Sequence, residues 1–138
     1  MRHLVRKHKL NRPAQHRRAM VRNLLTSLFD NGKVATTDAR AKALVAATES
    51  FLTLLRRQKD MFNKIREAKR VLFSETAQRA AIALIADNTA TSGIVKTVKL
   101  GYRAGDTALM VQVQIANNAV DKGINTNTTN SLNDENNA

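Results

Sequence analysis

The chain has 138 residues with 23 Lys and Arg against 11 Asp and Glu, a formal net charge of +12, and it holds no Cys, no Trp and one Pro. So short a chain makes one small domain, and its positive excess calls for a polyanionic partner, nucleic acid first. The missing Cys excludes disulfide frameworks, thiolate catalysis, zinc fingers and iron–sulfur clusters together, the 43% hydrophobic content excludes wholesale disorder, and no apolar run approaches the roughly 18 residues that cross a bilayer.

The charge is uneven along the chain. Arg2, Arg6, Lys7, Lys9, Arg12, Arg17, Arg18 and Arg22 crowd the start, with His3, His8 and His16 between them, and the first acid is Asp30. Residues 1–12 are therefore expected to form a basic arm without enough apolar surface to order by itself. A mitochondrial presequence is also Arg-rich and acid-poor, but Asn11-Arg12-Pro13 breaks the amphipathic pattern such a leader favours.

Pro13 suits a first helical turn, and Met20, Leu24 and Leu28, widened by Val21, Leu25 and Phe29, give a helical stripe that ends at Asn31-Gly32. That helix would press an apolar face on a core and offer Arg17, Arg18 and Arg22 on the other. Lys33 to Thr37 reads as a short strand, and Thr37 or Asp38 as the cap of a helix with the seam Leu44, Thr48, Phe51, Leu52 and Leu55. A third helix is expected from about Asp60, with Met61, Ile65, Leu72 and Phe73 on one side. A fourth follows Ser74 through Ala77, Ala80, Ala81, Leu84 and Ile85.

After a turn-like run from Asp87 to Gly93 the period falls to two. Ile94, Lys96, Val98 and Leu100 share one strand face, and Val95, Thr97 and Lys99 the other. Gly101 to Thr107 supplies a hairpin turn, and Leu109, Val111, Val113 and Ile115 alternate with Met110, Gln112 and Gln114 on the return strand. From Asn117 onward there are eight Asn, three Thr and almost no large apolar residue, so residues 117–138 are expected to be a disordered tail. The globular part is then 13–116.

Little chemistry is encoded beyond charge. The three His share no helical turn and have no nearby carboxylate, so no metal site is expected. No nucleophile, His and carboxylate fall together, and Gly101 and Gly105 match neither phosphate-loop pattern. No enzyme activity, cofactor or small-molecule substrate is indicated. Base stacking on aromatic platforms would need more than Tyr102 and four Phe that the core is expected to claim. Lys96, Lys99 and Arg103 extend the positive surface onto the hairpin, or in the case of the lysines only guard an edge strand.

Met1-Arg2-His3, Leu10-Asn11-Arg12, His16-Arg17, Ala19-Met20, Arg22-Asn23, Ser27-Leu28, Thr36-Thr37 and Arg40-Ala41-Lys42 stand in order, followed by Gly101-Tyr102-Arg103-Ala104-Gly105-Asp106 and Met110. Over residues 1–116 this pattern resembles bacterial large-subunit ribosomal protein seventeen. The resemblance implies an α+β domain of order α-β-α-α-α-β-β, a three-stranded sheet covered by helices, and no catalysis. It also implies binding to ribosomal RNA near the polypeptide exit region, beside neighbouring large-subunit proteins, in the cytoplasmic ribosome. Where the family has Gly-Gly-Tyr-Thr-Arg entering the penultimate strand, this chain has Ser92-Gly93-Ile94-Val95-Lys96. A Lys point charge does not replace an Arg fork there.

The expected RNA-binding set is Arg2, Arg6, Lys7, Lys9, Arg12, Arg17, Arg18 and Arg22 on phosphates, with His3, Asn11 and His16 as directional hydrogen-bonding groups and Lys96, Lys99 and Arg103 from the hairpin. The rival reading is a DNA-binding regulator with a helix-turn-helix, which would need polar base-reading residues on an exposed recognition helix. An RNA-modifying enzyme is a further rival.

Overall fold

A computed structural model describes residues 8–87 and 93–116. Arg2, His3, Arg6, Lys7 and the Asn-rich tail lie outside the described residues. Seven elements follow one another: α1 (Ala14–Asn31), β1 (Lys33–Thr37), α2 (Asp38–Arg57), α3 (Met61–Val71), α4 (Glu75–Asp87), β2 (Val95–Tyr102) and β3 (Leu109–Ile115). The fold is α+β in the expected order.

Local chemistry sets the boundaries of α1. Pro13, at φ −53°, stands just before the helix, and its carbonyl accepts the first helical bond from the Arg17 amide at 2.9 Å. Gly32 ends the helix at φ +71°, a left-handed conformation that costs glycine little. Thr37 holds the cap position of α2 without a side-chain capping bond. Asp38 takes up the favourable place for an acid in the first turn and pairs with Lys42 at 2.8 Å.

The three strands are antiparallel in the order β1-β3-β2, so the last strand is central. Cross-strand partners share a face, and the register therefore tells which face the helices cover. Val113 stands opposite Val34 and Thr97, and Val111 opposite Thr36 and Lys99. Val111 and Val113 are buried, and Thr36 with them. The other face carries Lys33, Ala35, Gln112, Gln114, Lys96 and Val98. Val98 is thus 45% exposed and Leu100, at a register shift, 54%. Of the face read as Ile94, Lys96, Val98 and Leu100, the residues within β2 are open, because the central strand decides which face the helices cover, whereas Ile94, just before the strand, is buried in the core.

The core joins Leu25, Leu28 and Phe29 of α1 to Leu44, Phe51, Leu52 and Leu55 of α2 and to Ala77, Ala81 and Leu84 of α4. Phe29 and Phe51 meet edge to face with ring centres 5.9 Å apart. Each fully buried leucine contributes about 2 kcal/mol of transfer free energy, and the small Ala77 and Ala81 let α4 lie close against its neighbours. Leu72, just beyond α3, closes this core, whereas Met61 and Phe73 stay 54% and 59% exposed. The expected apolar seam of α3 is therefore split, because the chain leaves the helix at Leu72, whose backbone is extended.

Candidate nucleic-acid interface

The N-terminal half of α1 and the residues leading into it gather most of the described candidate cations, Lys9, Arg12, Arg17, Arg18 and Arg22. The arm enters through two left-handed residues, Leu10 at φ 53° and Asn11 at φ 49°, with the Arg12 amide bonded to the Lys9 carbonyl at 3.3 Å. Arg17 fastens this bend by donating from one guanidinium nitrogen to the Lys9 and Arg12 carbonyls at 3.4 and 3.2 Å. Arg12 donates toward the ring of His16, 3.1 Å from its Nε2, one helical turn on. Arg18 is exposed and keeps its guanidinium clear of protein partners among the described residues.

Arg22 is differently employed. Its Nε donates to the Val71 carbonyl at 3.0 Å and a terminal nitrogen donates to the Arg70 carbonyl at 2.9 Å. The guanidinium carbon also lies 4.2 Å from the centre of the Phe73 ring. These carbonyls end α3, where a helix concentrates partial negative charge, so Arg22 caps α3 from α1. Between α1 and α2 runs an open groove of about 680 Å³. His8, Arg17, Arg18 and Arg22 stand along it, and Val21, Leu25, Phe51 and Leu54 are among its apolar lining.

The hairpin cations do not form one patch. Lys96 stands opposite Gln114 on the open face of the sheet, and Lys99 opposite Val111 on the helix side, where it lines a cleft with Asp38 and Glu49. Arg103 is held by Asp106 in a two-pronged pair, Nε to Oδ1 at 2.8 Å and NH2 to Oδ2 at 2.6 Å. The Asp106 carboxyl is lowered to about 2 by the Arg103 hydrogen bond first and the Ala108 amide second, and the same pair raises the Arg103 guanidinium above its usual value. The Gly101-to-Asp106 motif is therefore a self-satisfied turn. Its left-handed positions are Gly101 and Thr107, not Gly105.

Sequence reasoning missed Phe62 and Phe73, which it assigned to the core. Their signal was available in part: Phe62 shares a helical face with Arg66 and Lys69, not with the buried Ala68. Among the described residues no cluster of His and carboxylates could hold a metal ion, and no helix is long and apolar enough to cross a membrane.

A family model described as Ribosomal protein L17 matches residues 20–116. The chain belongs to the ribosomal protein L17 family. Its relatives include three named Large ribosomal subunit protein bL17. The one from Carboxydothermus hydrogenoformans is 39% identical over 110 residues, which is 78% of this chain and 96% of the relative. That from Desulforapulum autotrophicum is 35% identical over 122 residues, 83% of this chain and 96% of the relative. That from Akkermansia muciniphila is 39% identical over 117 residues, 83% and 85% of the two chains. The family-model match takes in Arg22, Lys96, Lys99 and Arg103 but begins after Arg18. L17 proteins are structural ribosomal components, not enzymes.

Proposed function

We propose that this chain is a structural constituent of the large ribosomal subunit, bound to ribosomal RNA through the basic arm of residues 1–12 and the cationic start of α1, near the polypeptide exit region. Family membership supports the ribosomal assignment, and the resemblance noted above supports the location. The observation that carries RNA binding is the chemistry of α1, where Arg17 and Arg18 follow the arm and no acid precedes Asp30. Arg18, exposed and without a protein partner among the described residues, neutralises a phosphate at modest desolvation cost. Arg22 supports this surface by fixing α1 to α3.

The DNA-regulator reading finds no support in α4, the second helix of the closely spaced α3–α4 pair. Its exposed positions are Glu75, Thr76, Arg79, Ala83 and Ala86, and Arg79 is paired with Glu75 at 2.7 Å. Base reading needs unpaired polar side chains on such a face. The test of the ribosomal reading is purification of large subunits through a high-salt wash from cells that express a tagged chain. One copy per subunit is expected, and loss of the chain at the wash would refute stable incorporation.

A further inference from the structure

Two of the four phenylalanines, Phe29 and Phe51, are 4% and 5% exposed, but Phe62 is 85% and Phe73 59% exposed. No core contact accounts for the open ring of Phe62, and Phe73 stays largely exposed although Arg22 lies over its ring; exposed aromatic side chains mark contact surfaces. Phe62 lies in the first turn of α3. Arg66 and Lys69 follow it at four and seven residues, on the helix face turned away from the buried Ala68, with Arg70 beside them and Phe73 just past the helix end. From Phe62 to Arg70 the stripe runs about 12 Å along the helix axis. Among the described residues Arg66 and Lys69 have no hydrogen-bond or ion-pair partner, and Arg70 has one long contact to Glu67 at 3.8 Å. Arg22 lies over the Phe73 ring, so the cationic flank of α1 continues into this stripe.

The alternation of rings with unpaired cations decides what it fits. A protein groove would have to desolvate Arg66 and Lys69 to reach Phe62, which is costly without opposing acids. RNA offers phosphates to the cations and base faces to the rings. A duplex keeps those faces inside its own stack, whereas an unpaired segment presents them.

We propose that Phe62, Arg66, Lys69, Arg70 and Phe73 form a second RNA site, which takes an unpaired RNA segment with bases stacked on the two rings and phosphates on the cations between them. It deepens the RNA-binding reading above and rests on it: the arm and α1 hold phosphates whatever the strandedness, and α3 selects nucleotides that are out of a helix.

The chain contains no Trp, so the Phe62→Trp protein carries a single indole at the site. Unlabelled oligouridylate is expected to quench its emission, and a blunt RNA duplex of equal length to leave it unchanged. Phe62→Ala and Phe62→Leu should each weaken oligouridylate binding on the order of tenfold, the usual worth of one stacked base, while duplex binding stays within about twofold. Phe62 is exposed, so the thermal transition of these variants serves as the check that they fold. Arg18→Gln should weaken both probes alike. Unquenched indole in a chain that has bound the oligomer, or full affinity in Phe62→Leu, overturns the α3 site while the α1 reading stands. If the wild-type chain binds neither probe, the RNA-binding reading itself falls and the α3 site with it.

Discussion

Arg22 was expected from its sequence position to meet phosphate, yet its geometry predicts that Arg22→Ala unfolds more easily whether or not RNA is present. Three contacts would be lost: a part-buried bond to the Val71 carbonyl at 3.0 Å, a more exposed one to the Arg70 carbonyl at 2.9 Å, and the guanidinium over Phe73 at 4.2 Å. Water can replace the exposed bond, so we assign it about 0.5 kcal/mol, with about 1 for the part-buried bond and about 0.5 to 1 for the ring contact. The sum, about 2 to 2.5 kcal/mol, lowers the midpoint of a domain near 100 residues by roughly 10 °C or more. Arg18→Ala, one turn earlier and without partners among the described residues, should stay within about 0.5 kcal/mol of the parent. Arg22→Lys should fall between them, because a single ammonium cannot reach two carbonyls as a fork and lie flat on a ring. Urea or thermal unfolding of the RNA-free proteins, followed by helical circular dichroism, measures all three. Equal stability of Arg22→Ala and Arg18→Ala would refute the clamp and return Arg22 to the RNA-facing set.

Asp106 should titrate near 2 in the folded protein when its carboxyl is followed by NMR, and Arg103→Ala should return it toward the ordinary carboxylate range. Because the folded value is depressed, the stability that Asp106 contributes over Asp106→Asn is fully present above about pH 4 and is lost as pH falls through about 2; a margin unchanged across that window would contradict the pair. Removing residues 1–7 takes out Arg2, Arg6 and Lys7 and should flatten the slope of log K against log salt for large-subunit RNA by about 2, at roughly 0.7 to 0.9 per phosphate. Neutralising Lys42, Arg79 and Arg103, which are paired with Asp38, Glu75 and Asp106, removes the same formal charge and should change the slope by well under 1; equal changes would mean that charge acts only in bulk.

The element order was legible because each signal was local. Gly32 stops α1, the period changes from 3.6 to 2 after Gly93, and the apolar alternation of β3 runs uninterrupted from Leu109 to Ile115. The end of α3 was not legible, since Val71-Leu72-Phe73 continues an apolar run as a helix would. What ends it is tertiary: Leu72 is drawn into the core at 1% exposure, and its carbonyl accepts the Gln78 side-chain amide at 3.1 Å. Once Leu72 turns inward, Phe73 is left outside under Arg22. The same limit applies to the cations. Their number and clustering can be counted along the chain, but whether each is available depends on its acceptors. Those of Arg22 lie 48 and 49 residues away, beyond any local pattern. Arg103 is the opposite case: the acid three residues on within one tight turn is a local signal, which assigning Arg103 to the RNA-binding set passes over.

Availability, not charge, therefore separates the basic residues. Lys42, Arg79 and Arg103 each answer an acid of their own element or turn, and Arg22 answers a helix end and so ties α1 to α3. Arg18, Arg66 and Lys69 answer nothing within the described protein. An unpaired cation at the surface retains its whole field for a partner and loses little solvation until that partner arrives. The fold thus leaves unpaired charge on α1 and on α3, two helices that it locks together through Arg22. A polyanion bound to α1 is then presented with α3 at a fixed distance, and ordering the second contact costs less than it would on an independent segment.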